Sequence, residues 1–67
     1  MQLQGKLLRI EPAGDAERMN IVLLNAQGIE DMYQTFNRDL IDTAGSLLDK
    51  QVIIDIGLKE TTIKEAV

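Results

Sequence analysis

Between Asn37 and Leu58 the spacing of apolar residues changes once, from three-and-four to two, and this change constrains the fold more than any other feature. Leu40, Ile41, Ala44, Leu47 and Leu48 recur at helical spacing, while Arg38, Asp42, Thr43, Ser46 and Asp49 fall on the opposite side. Asn37 is a good N-cap and Asp39 lies in the positively polarised first turn, so an amphipathic helix of about three turns is expected to start there. Gly45 costs such a helix about 1 kcal/mol relative to Ala, a cost offset if its bare backbone lets the helix sit close on a sheet. After Lys50-Gln51, Val52, Ile54, Ile56 and Leu58 share one face, with Ile53, Asp55, Gly57 and Lys59 on the other, which specifies a half-buried strand.

The remaining segments read as strands and turns. Leu3, Gly5 and Leu7 alternate before the phase switches to Leu8 and Ile10, the pattern of a strand with a kink or bulge, for which Gly5 is available. Glu11 to Arg18 contains Pro12, Gly14 and four charges and is expected to be a solvated loop. Met19 to Leu24 is apolar enough to be a strand covered on both faces for part of its length. Asn25-Ala26-Gln27-Gly28 supplies a turn. Ile29 to Phe36 fits helical and extended spacing alike; Tyr33, Thr35 and Phe36 favour a strand, as does the helix-start signal that follows. Thr62 to Val67 offers a short last strand through Ile63, Glu65 and Val67.

The expected order is thus β-β-β-α-β-β in a single small α+β domain filling residues 1–67. With the helix between the third and fourth strands and a glycine-bent first strand, this order resembles a miniature OB-fold barrel; a small five-stranded, mainly antiparallel sheet with the helix across one face explains the same pattern. Chains this short hold marginal cores, and with no Cys and no His neither a disulfide nor the usual zinc site can reinforce this one. Self-association is the remaining common route to stability, so a homo-oligomer is expected.

The lack of Cys and His also excludes Cys–His and Ser–His–Asp nucleophilic chemistry. Ser46, the single serine, belongs to the polar side of the helix. The five glycines are spread too widely for a phosphate-cradling loop, so no cofactor and no metal is expected. Among the carboxylates, Glu30-Asp31 would point to opposite strand faces, Asp39 is accounted for by the helix dipole, and Asp55 faces outward, where it discourages edge-to-edge aggregation. A small carboxylate-based enzyme is therefore the weakest reading. The N-terminus has no basic segment followed by a long apolar stretch, and no apolar run approaches the roughly 20 residues of a membrane span, so a cytoplasmic protein without a membrane partner is expected.

The functional expectation is a non-catalytic protein-interaction module that self-associates through a sheet face or strand edge. The two-sided apolarity of Met19 to Leu24 and the off-face Ile53 motivate it. The alternative is an OB-like single-stranded nucleic-acid-binding protein, which the net charge of −4 and the scattered basic residues disfavour. Candidate interaction residues are Tyr33 as a partly exposed aromatic, Ile53 as off-face apolar surface, and Arg9 and Arg18 as charge on the first hairpin. Phe36 is assigned to the core, since it abuts the helix start and few large residues are available to fill the interior.

Overall fold

The computed structural model describes residues 1–66, with all side chains except those of Asp15 and Ala16. Val67, the end of the last predicted strand, lies outside the described residues. The elements are β1 (Gln2–Ala13), β2 (Asp15–Leu24), β3 (Glu30–Thr35), α1 (Arg38–Gly45), β4 (Gln51–Ile56) and β5 (Thr61–Glu65), in the expected β-β-β-α-β-β order. All strand pairs are antiparallel and form one open five-stranded sheet in the order β3-β2-β1-β4-β5. The sheet therefore does not close into a barrel. Its edge strands β3 and β5 are linked across the opening by a side chain, the Tyr33 hydroxyl donating to Thr61 Oγ1 at 3.1 Å.

The long first strand makes this curvature. β1 pairs with β4 through Gln2 to Lys6 and with β2 from Lys6 to Ala13, so it changes its main partner at Lys6. Gly5, beside that change, lies against the neighbouring backbone: a Cβ added there would stand 2.3 Å from the Leu24 carbonyl oxygen. Only a residue without a side chain allows this approach. The phase switch in the sequence is a β-bulge, with the register jumping from Leu7↔Leu23 to Arg9↔Val22.

The segment from Glu11 to Arg18 is not a solvated loop. It is the far half of the β1–β2 hairpin, with Glu11↔Asn20 and Pro12↔Met19 in register and Gly14 at φ +82 in the turn. β4 does not extend alongside β1 there, so Pro12 sits on a stretch with one open side, where its missing N–H breaks no second ladder.

The Asn37 side chain accepts the Leu40 N–H at 3.2 Å and caps α1 as expected. The helix is shorter than the apolar spacing implies, at 8 residues. It continues into tight turns, in which Leu47 N–H donates to the Ala44 carbonyl and Lys50 N–H to that of Leu47. Asp49 takes φ +67, and its N–H donates to the Leu7 carbonyl at 2.8 Å, which leads the chain into β4. Leu48 is consequently exposed, and so is Gly45, where an added Cβ would meet nothing within 4 Å. The expected role of Gly45 in close helix packing is thereby corrected. Leu58, expected on the inner face of β4, projects fully into solvent from the turn after Ile56.

On the concave side, Leu7, Ile21, Leu23, Val52, Ile54 and Ile63 of the sheet bury against Leu40 and Ala44 of α1, with Leu3, Ile10, Tyr33, Leu47 and Ile56 at the margin. No helix among the described residues is long and apolar enough to cross a membrane.

Candidate interaction face

The convex side of the β1–β2–β3 half-sheet is organised in rows by the strand registers. Lys6, Leu24 and Glu30 form one row; Arg9, Val22 and Met32 the next; Glu11, Asn20 and Gln34 a third, and beyond the last paired residues Arg18 lies by Phe36. Alternation sends all of these side chains away from the core, because Ile21, Leu23, Tyr33 and Thr35 occupy the opposite parity.

Val22 is nonetheless completely buried, the only buried apolar residue outside the core cluster among the described residues. Its register partner on β1 is Arg9, next to the extra bulge residue Leu8. From its place beside Val22 on β2, Arg9 extends over that strand to β3, donating from Nη2 to Glu30 Oε1 at 3.0 Å and from Nη1 to Glu30 Oε2 at 3.4 Å, while Nε donates to Glu11 Oε2 at 3.0 Å. The forked contact to Glu30 suits the planar guanidinium. The Glu30 and Glu11 carboxylates hold the Arg9 pKa above its ordinary value, and the hydrogen bond from Arg9 keeps the Glu30 carboxyl below the usual carboxylate range. The expected coverage of Met19–Leu24 on both faces for part of its length is present at Ile21, Val22 and Leu23, the first and last in the core cluster and Val22 outside it.

Beyond the Arg9–Glu30 pair the face is mixed: among Asn20, Gln34 and Arg18, Met32 on β3 is 60% exposed and Phe36, the residue after β3, 64%. Arg18 flanks them, its guanidinium 5.5 Å from the centre of the Phe36 ring and donating to Gln34 Oε1 at 3.4 Å. A cation over a ring face is attractive and fixes the orientation of both groups.

The four residues singled out from the sequence do not form one site. Arg9 and Arg18 lie on this convex face. Ile53 is also convex but belongs to β4, between Gln4 of β1 and Lys64 of β5, where its neighbours are polar and it is half-buried. Tyr33 faces inward against the core. Phe36, assigned to the core, is exposed, whereas Tyr33 is half-buried with its ring against the core. The reason is parity. Phe36 follows the last residue of β3 and shares the outward set of Met32 and Gln34, three positions from Tyr33. Counting alternation outward from Thr35 would have located both Phe36 and Met32.

No protein-family model, curated protein sequence or solved structure matches this chain. Among the described residues no three His, Cys, Asp or Glu side chains come together as a metal site. A cleft of about 570 Å³ beside Gly5 and the β2–β3 turn is bordered by Gln4, Lys6, Asn25, Gln27 and Gln51, and no carboxylate lines it. Asp55 points outward on β4, which β5 and β1 flank, so it guards no sheet edge.

Proposed function

We propose that this chain is a non-catalytic protein-interaction module of the cytoplasm that self-associates through the convex face of β2 and β3. The observation that supports it is the exposure of Met32 on β3 and of Phe36 just past its end, two large apolar side chains each more than half exposed. Scattered exposed apolar residues need no explanation, but two on the same side of a sheet, separated by Gln34 alone along the chain direction of that face, form a surface that association would remove from water. The small core adds to the motive, since a 67-residue chain without cysteine has no covalent reinforcement. Size-exclusion chromatography with light scattering at micromolar concentration tests this reading. It requires the mass of a discrete oligomer; the mass of one chain would refute it.

A second reading has one specific observation in its favour. Arg18 over the Phe36 ring stands on the β2–β3 face that OB-like barrels use for oligonucleotides, and an aromatic with a cation is the usual stacking platform for a base. Glu11 and Glu30 on the same face oppose it, because they repel phosphates. Adding single-stranded DNA to the same chromatography separates the two: co-elution lost at high salt establishes nucleic-acid binding.

A further inference from the structure

We infer that the Tyr33–Thr61 hydrogen bond is the clasp of a gate, at which β5 parts from β3 and opens the interior beside α1 while β1 and β2 stay paired. The gate is a property of the single chain and needs no partner. β3 and β5 are the two ends of the sheet, and among the described residues no backbone hydrogen bond joins them. What spans the opening is the bond from the Tyr33 hydroxyl to Thr61 Oγ1, 3.1 Å long and partly buried.

The two edges are not held equally. β3 is tied from behind by side chains: Glu30 accepts the forked contact from Arg9 of β1, and Asp31 accepts from the Asn25 side chain at 3.1 Å. Its Tyr33 ring packs on the core and Thr35 is buried. β5 has 5 residues, pairs only with β4, and Ile63 is its one buried side chain. Its Lys50–Glu65 ion pair, 3.7 Å long and half exposed, lies at the end away from Thr61. An edge strand with one ladder and one buried apolar residue opens at a lower free energy than strands paired on both sides. β1 and β2 are of the second kind, and Leu7, Ile21, Val22 and Leu23 on them are fully buried.

The clasp also stands at an entrance. A cleft of about 300 Å³ between the start of α1 and β5 is lined by Thr61 together with Leu40 and Ile63, both members of the core. Release of Thr61 from Tyr33 therefore widens a path that already reaches core side chains. The clasp is the cheapest place to admit water there, because one neutral hydrogen bond is exchanged for bonds to water and no backbone pairing between β3 and β5 has to break.

Amide hydrogen exchange followed by nuclear magnetic resonance tests the gate in the parent protein and in two variants. In the parent, the β5 amides bonded to β4 should exchange at least about tenfold faster than those bonded between β1 and β2, with little acceleration by low urea, as local opening requires. Tyr33→Phe deletes the hydroxyl and keeps the ring; it should speed β5 exchange about fivefold relative to β1 and β2. Thr61→Val removes the acceptor from a residue outside the core and should do the same, and the double variant should add nothing to either, since both cut one bond. If β5 in the parent follows the same urea dependence as β1 and β2, it opens only with the whole fold and there is no gate. If either variant accelerates β1 and β2 as much as β5, or the two effects add, the hydrogen bond is not the clasp.

Discussion

Replacing Gly5 with alanine adds one methyl group and should remove a large part of the stability of this domain. The new Cβ would lie 2.3 Å from the Leu24 carbonyl oxygen, 2.8 Å from its carbon and 3.2 Å from the Asn25 Cα, all backbone atoms that no rotamer change can move. Ordinary contact needs a further displacement of roughly 1 Å, forced between β1 and β2 where β1 is also hydrogen-bonded to β4. Overpacking of this kind costs about 1–3 kcal/mol, and loosening the adjacent ladder adds about 0.5–1.5 kcal/mol for each bond weakened. The expected loss is thus about 2–4 kcal/mol, against a total of about 3–10 kcal/mol for a chain of this length. At about 4–8 °C per kcal/mol for small domains, the melting midpoint should fall by roughly 10–25 °C. Circular dichroism melts at fixed protein concentration measure this directly. A midpoint within about 2 °C of the parent would show that β1 and β2 are not held together at Gly5, and the curvature attributed to that contact would be wrong.

The same substitution at Gly45 should act in the opposite direction: the site is exposed, its φ is not in the left-handed region and nothing crowds an added Cβ, so Gly45→Ala should stabilise by about 0.5–1 kcal/mol in urea unfolding. Asn37→Ala removes the acceptor for the Leu40 N–H and should cost about 1 kcal/mol, read as a lower urea midpoint with an unchanged slope. Because Arg9 lowers the pKa of Glu30 in the folded state, this carboxylate contributes stability above its unfolded pKa of about 4.3 and loses it as pH falls through the lower folded value. Glu30→Gln should therefore flatten the fall in urea midpoint between about pH 5 and pH 3; an unchanged slope would remove Glu30 from the acid response.

Several features were legible because they depend on neighbours along the chain. The helix start at Asn37 is a local hydrogen bond between a side chain and an N–H three residues on, and its residue types are visible in order. The alternation of Val52, Ile54 and Ile56 places two buried residues and one at the core margin on the concave face of β4 whatever strand lies alongside. Even the bulge was visible, since the shift from Leu7 to Leu8 and Ile10 is a change of phase within one strand.

Other features were set by contacts between distant segments. Charges and Pro12 made residues 11–18 read as a loop, yet the ladder with β2 carries the strand through them, and the proline is tolerated because β4 stops short. Phe36 looked like core because it is large, but it continues the outward parity of Met32 and Gln34, and the Arg9–Glu30 pair on the convex face joins β1 to β3 across β2. Spacing along the chain therefore determined the number, type and order of the elements. The opening between β3 and β5 and the composition of the convex face were decided only when β1 exchanged β4 for β2 at Gly5 and Lys6, because strand register is a relation between segments that no single segment carries.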